Sequence, residues 1–253
     1  MLNHRVIPML QIQNERLVKT LKFSNPHHLG DPINAVKVFN DKQVDELALL
    51  DIGATHQKRS PSFELVEKIA GEAFMPVSYG GGVSSIEIAR QLFRLGVEKV
   101  VVRSAALENP RFLRVLSDEF GSSSVVASVD VKKNRRGQYQ VFCANGKSSK
   151  THRWPEIIDN FATQGAGEIL LQSVDCDGTL LGPDLELVKN VGPIGIPLVF
   201  AGGVSSIADM KKMLLAGADA VAVGAFFVLH GPHRALLITY PDYSLLEHEL
   251  GGI

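Results

Sequence analysis

A chain of 253 residues, 45% of them hydrophobic, can bury a large core, and its length suits two small domains or one large α/β domain. A formal net charge of −1 with both signs interspersed gives no field able to hold nucleic acid or an anionic membrane. Cys143 and Cys176 lie far apart with no CxxC spacing, so no metal and no cofactor is expected; the N-terminus lacks a cleavage site, and no stretch reaches the roughly 18 apolar residues of a spanning helix, which makes a soluble cytoplasmic protein the expectation.

In chain order, eight apolar runs read as strands: Arg5–Ile12, Glu46–Ile52, Pro76–Gly80, Lys99–Ser104, Ser124–Val131, Glu168–Val174, Pro197–Ala201 and Ala220–Phe227. They are rich in Val, Ile and Leu, as strands of a helix-covered parallel sheet are, and the amphipathic segments between them imply right-handed βα units. Asp31-Pro32 offers an N-cap followed by proline at the first helical position, Asn109-Pro110 repeats the device, and Gly96 and Gly217 fall at equivalent helix C-termini. Gln13–Gly30 and Lys132–Thr151 resist assignment, and each follows the first strand of a half.

The chain repeats itself. Gly81-Gly82-Val83-Ser84-Ser85-Ile86 returns as Gly202-Gly203-Val204-Ser205-Ser206-Ile207, each copy after a proline-led apolar run and before an amphipathic segment. Paired glycines between strand and helix let backbone N–H groups approach an anion, so the two turns are candidate phosphate sites; the alternative is that they only make tight turns. Eight βα units with an internal repeat predict one TIM (β/α)8 barrel over 1–253, built from half-barrels of about 1–121 and 122–253, with an open doubly wound sheet as the alternative.

Setting the halves against each other puts Gln11 opposite Asp130, a carboxylate at a strand C-terminus and so either a candidate acid or base or a loop cap. At the other strand ends stand Arg5, Glu46, Lys99 and Glu168. Side-chain alternation gives Arg5 one face with Ile7, Met9 and Gln11, Lys99 one with Val101 and Arg103, and Glu168 one with Leu170 and Gln172. Either these are solvated charges at strand starts or, if the faces point inward, they meet at the barrel bottom.

Over nearly its whole length the chain resembles the cyclase subunit of imidazole glycerol phosphate synthase, through Glu46-Leu47 to Leu50-Asp51-Ile52, Gly80-Gly81-Gly82, Ala105-Ala106-Leu107-Glu108-Asn109-Pro110, Gly165 to Leu171, and Asp175-Cys176-Asp177-Gly178-Thr179. The resemblance implies ammonia from a HisH-like glutaminase entering the barrel bottom past a gate of Arg5, Glu46, Lys99 and Glu168, and a phosphorylated small-molecule substrate at the top. It also implies roles for Lys19 on a mobile first loop, for Asp130, Asp51 and Asp177, and for phosphate contacts at Gly81, Gly82, Arg103 and Ser104 and at Gly202, Gly203, Gly224 and Ala225.

The departures cluster at the chemical end. Gln11 replaces the family's acid–base aspartate, Arg103 an asparagine, Gln172 a threonine, and Ala201 and Ala225 serines. General acid–base catalysis is worth roughly 10²–10⁴-fold, so the resemblance implies a diverged paralogue that supplies ammonia, such as those beside sugar amidotransferases in surface-polysaccharide synthesis. An active histidine-pathway cyclase, a non-catalytic scaffold and, last, an isomerase barrel are the alternatives. Arg103 beside Asp130 is expected to favour the ionised carboxylate.

Overall fold

The computed structural model describes residues 4–143, 153–231 and 233–252. β1 (Arg5–Gln13) is followed by β2 (Arg16–Leu21), β3 (Ser24–Gly30), α1 (Pro32–Asp41), β4 (Leu47–Asp51), α2 (Phe63–Glu72), β5 (Val77–Gly80), α3 (Ile86–Arg94) and β6 (Lys99–Val102). Then come α4 (Ser104–Glu108), α5 (Arg111–Phe120), β7 (Val125–Lys133), β8 (Tyr139–Val141), α6 (Trp154–Thr163), β9 (Glu168–Ser173), α7 (Leu185–Lys189), β10 (Leu198–Ala201), α8 (Ile207–Leu215) and β11 (Ala220–Val223). α9 (Ala225–Val228), the short pair β12 (Leu229–His230) and β13 (Ala235–Leu236), and α10 (Tyr243–Leu250) complete the described elements.

Parallel pairing runs β1, β4, β5, β6, β7, β9, β10, β11 and returns to β1, where Arg5 faces Ala220 and Pro8 faces Val223. The ring of strands is therefore closed, a TIM (β/α)8 barrel. Each strand presents one set of side chains to the helices and the other to the barrel interior. The outward set, among it Val6, Leu10, Leu49, Val100 and Leu171, packs with helix residues such as Leu92, Leu113 and Phe161 in the large core. The inward set forms a separate apolar cluster of Ile7, Met9, Ala48, Val101, Val126, Leu170, Val199, Ala201, Ala220 and Ala222. Burial of each leucine-sized side chain stabilises by about 1.5–3 kcal/mol, and burial on both faces explains why the strands read as unbroken apolar runs. Among the described residues no helix is long and apolar enough to cross a membrane.

Asp31 caps α1 by accepting the Ile33 N–H, and Ser85 and Ser206 cap α3 and α8 in the same way through the N–H groups of Ile88 and Asp209. Gly96 and Gly217 follow those two helices at φ +95° and +114°. The second predicted cap is only half kept, since the Asn109 main-chain carbonyl, not its side chain, accepts from Phe112 N–H and no side chain caps α5. Two predicted strands overrun: β6 stops at Val102 and β11 at Val223, because helices follow with almost no connection, beginning at Ser104 and Ala225.

Gln13–Gly30 is no free loop. It is an antiparallel extension in which β2 pairs with β1 and β3 with β2. The connecting residues Asn14 and Glu15 (φ 49° and 61°) and Lys22 and Phe23 (φ 52° and 61°) take the left-handed conformation of tight hairpin turns without a glycine to announce it. β8 extends β7 likewise, within the second unassigned segment, of which 144–152 lie outside the described residues.

Gly203 and Gly217 separate two reasons for glycine. Both have positive φ, but a Cβ on Gly203 would lie 2.1 Å from the Gly182 carbonyl oxygen, whereas one on Gly217 meets nothing within 4 Å. Gly217→Ala should cost about 1–3 kcal/mol from backbone strain alone, and Gly203→Ala a further ~1–3 kcal/mol from the forced displacement. Urea unfolding of the two variants checks the order; equal losses would mean the close approach imposes no constraint.

Candidate functional site

At the strand N-terminal ends the four predicted charges do meet. Arg5 Nη1 lies 2.6 Å from Glu46 Oε2 and Arg5 Nη2 2.9 Å from Glu168 Oε2, while Lys99 Nζ lies 2.9 Å from Glu46 Oε2 and 3.3 Å from Glu168 Oε2. The result is a closed ring of alternating sign. The glutamates are buried, with side-chain exposures of 6% and 9%, and Arg5 (33%) and Lys99 (20%) keep partial contact with solvent. Burial alone would lower the Arg5 pKa; Glu168 and Glu46 more than offset it, so the guanidinium is held above the ordinary arginine value. These are not merely solvated strand-start charges, since each carboxylate is shared by two cations.

At the opposite end, the β2–β3 hairpin folds over the barrel mouth. The Thr20 backbone N–H donates to Gln11 Oε1 at 3.0 Å, and the Thr20 hydroxyl stands 3.0 Å from the same oxygen and 2.9 Å from Asp177 Oδ2. A hydroxyl has one proton, and the ionised carboxylate is the stronger acceptor, so that proton goes to Asp177. Lys19, expected on a mobile loop, is instead buried in β2 with Nζ 2.6 Å from Asp177 Oδ1. Burial pushes the Lys19 ammonium below the ordinary lysine value, and Asp177 opposes the shift. Gln172 Nε2 makes a long contact of 3.4 Å to the same carboxylate.

Arg103 and Asp130 form a salt bridge, with Asp130 almost fully buried. Here the expectation from charge alone is overturned: burial raises the Asp130 pKa above its ordinary 3.8, and the Arg103 guanidinium lowers it without cancelling the desolvation. Asp51 stands apart from both groups. Its Oδ1 accepts the N–H groups of Gly53 and Ala54, each at 3.0 Å, and Arg59 Nη2 pairs with its Oδ2 at 2.8 Å.

The two glycine turns differ in what lies over them. Gly81, Gly82, Arg103 and Ser104, together with Gln11, Asp130 and Gln172, line an open cavity of about 670 Å³. Gly202, Gly203, Gly224 and Ala225 line one of only about 10 Å³, with Asp177 beside them. The Gly82 N–H already donates to Thr55 Oγ1 at 3.3 Å, so its turn has a partner within the protein. Thr20 and Arg59 were not foreseen: pairing residues 16–21 with β1 sets Val18 opposite Gln11, and Thr20 is reached only by the Gln11 side chain, while nothing in the sequence singles out Arg59 as the partner of Asp51.

Fold and site describe an enzyme-type (β/α)8 barrel, with its polar pocket at the strand C-terminal ends and a second polar cluster at its base. Residues 5–232 match the family described as histidine biosynthesis protein. The chain is 45% identical over 249 residues to a Pseudomonas aeruginosa protein provisionally named imidazole glycerol phosphate synthase subunit hisF2, covering 98% of this chain and 99% of that one. It is 44% identical to a similarly named HisF of Leptospira interrogans, with 96% of each chain covered, and 36% identical to the imidazole glycerol phosphate synthase subunit HisF of Helicobacter hepaticus, over 93% of this chain and 94% of that one. The chain belongs to the HisF family of imidazole glycerol phosphate synthase subunits.

The Asp130 shift gives a pH test. A carboxyl with a raised folded-state pKa binds more protons folded than unfolded as pH climbs from 3.8, so over that window it makes the protein less stable with rising pH. The wild type should therefore lose stability relative to Asp130→Asn as pH rises through and above 3.8. Urea titrations of both proteins across that range measure the difference, and a trend of opposite sign would mean that Arg103 governs the pair.

Proposed function

We propose that this chain is the ammonia-accepting synthase subunit of a glutamine amidotransferase complex, paired with a HisH-like glutaminase docked at the strand N-terminal face. The observation that carries this reading is the closed Arg5–Glu46–Lys99–Glu168 ring directly below the apolar barrel interior. Desolvating four charges costs several kcal/mol unless every one is paired, which makes the ring a poor device for stability alone. Above it the interior is an apolar cluster that includes the small side chains of Ala48, Ala201, Ala220 and Ala222. Such a path suits neutral ammonia and rejects ammonium, because an unpaired charge is expelled from apolar surroundings. Phe74, in the loop between α2 and β5 on the same face, is 88% exposed and supports a partner there, as a large aromatic is seldom left in water.

In this reading the whole of 1–253 is one barrel domain, made of half-barrels of about 1–121 and 122–253, and its mouth holds a phosphorylated ligand near Gly81, Gly82, Arg103 and Ser104. Gln11 has no exchangeable acid proton, so the chain's own cyclase chemistry is weak and the ammonia goes to a further biosynthetic step, amidino-sugar formation by a sugar amidotransferase of surface-polysaccharide synthesis being the finer proposal. The second reading is an active histidine-pathway cyclase. Two facts favour it: the relatives' names, and an Asp130 whose raised pKa suits a proton donor.

Two measurements separate these claims. With ammonium salt and the phosphorylated imidazole precursor, the isolated wild type should turn over slowly and Gln11→Asp faster, by roughly 10²-fold if a general acid is restored; wild-type turnover already at that higher level would establish the cyclase reading. Lys99→Glu should leave glutamine hydrolysis running in the reconstituted complex yet lower the ratio of glutamine-driven to ammonium-driven product by ~10-fold, since three carboxylates then crowd Arg5 and the ring opens. An unchanged ratio would reduce the ring to structure.

A further inference from the structure

The second glycine turn is closed by the protein itself. Its cavity of about 10 Å³ is smaller than or equal to the space one water needs, roughly 10–15 Å³, and a phosphate carries four oxygens. The hairpin lies against one wall of it: a Cβ placed on Gly224 would lie 3.5 Å from Lys19 Cε and 3.7 Å from Lys19 Nζ. The Lys19 charge is not free for an anion, because Asp177 holds it at 2.6 Å with both groups buried. Further contacts keep the hairpin down. Lys22 N–H donates to the Asp177 carbonyl at 2.9 Å, a Cβ on Gly178 would meet the Thr20 carbonyl oxygen at 2.2 Å, and the rings of Phe23 and Phe142 stack edge to face at 5.9 Å.

We propose that Gln11 is the positioning residue that fastens this hairpin, and that the barrel consequently takes a ligand with a single phosphate-like group, held at the first turn. Gln11 is 3% exposed, and its amide oxygen accepts the Thr20 N–H, fixing the residue that bridges to Asp177. An amide can do this without charge. A carboxylate at the same place would face Asp177 across one threonine, in the low-dielectric setting where like charges repel most strongly. The acid–base position has thereby become part of a closure, and the polar space left open is the 670 Å³ cavity at Gly81, Gly82, Arg103 and Ser104. That volume fits a small-molecule site. The inference rests on reading the first turn as an anion site, and it goes further by excluding the second turn.

The test uses inorganic phosphate on the whole chain, with bound equivalents counted by equilibrium dialysis and placed by soaking crystals, and amide hydrogen exchange followed in residues 16–30. The wild type should bind one phosphate, at the first turn, and Gln11→Ala a second one at Gly202-Gly203, with exchange at Thr20 at least ~10-fold faster as the hairpin opens. Thr20→Val, which removes only the hydroxyl link to Asp177, should give a smaller acceleration in the same direction and serves if Gln11→Ala does not fold. A wild type that binds phosphate at the second turn overturns the inference while leaving the anion-site reading intact. Binding at neither turn overturns that reading and the inference with it, and variants that exchange like the wild type remove Gln11 as the fastener.

Discussion

The pairing of β11 with β1, Arg5 against Ala220 through Pro8 against Val223, is the constraint on which the rest depends. It turns a sheet into a tube, and once the tube is closed every second side chain of each strand has nowhere to point but inward. β1 alone then delivers Arg5 to the base, Ile7 and Met9 to the apolar middle and Gln11 to the mouth. β6 delivers Lys99 and Val101, with Arg103 directly after it, in the same order, and β9 delivers Glu168, Leu170 and Gln172. Charges at both ends of an apolar interior are thus a consequence of strand period and closure.

The two ends answer the cost of burying charge differently. At the base, four charges share one ring, and its cations retain some contact with water. At the mouth, Asp177 gathers Lys19, Thr20 and Gln172 around a single carboxylate, and Asp130 has Arg103 for its cation. The Asp177 cluster cannot lose Lys19 without leaving a buried charge unmatched, which costs on the order of 3–5 kcal/mol.

Much of this was legible in the sequence because barrel strands are buried on both faces. All eight apolar runs fall on the barrel strands, and Gly96 and Gly217 mark the ends of α3 and α8. Overrun occurred where helices follow directly, at Ser104 and Ala225. The hairpin was invisible for two reasons: its turns use Asn, Glu, Lys and Phe at positive φ, and Leu17 through Thr20 are buried on both faces and show no alternation. The inward faces of Arg5, Lys99 and Glu168 followed from period two, but whether the charges met depended on closure. Asp130 was misjudged because its partner can be named from strand order, whereas the burial that outweighs that partner is a property of the packed barrel.

If the base of the barrel receives ammonia from a docked glutaminase, that face is covered in the complex. The most direct measurement is amide hydrogen exchange on the chain with and without a HisH-like glutaminase. Exchange should slow in the loops that enter the strands from below, 42–46, 73–76 and 95–98, around Phe74 and the charge ring, and stay unchanged in the mouth loops at 53–61 and 174–182. Protection at the mouth with none at the base, or no complex at all, would contradict it.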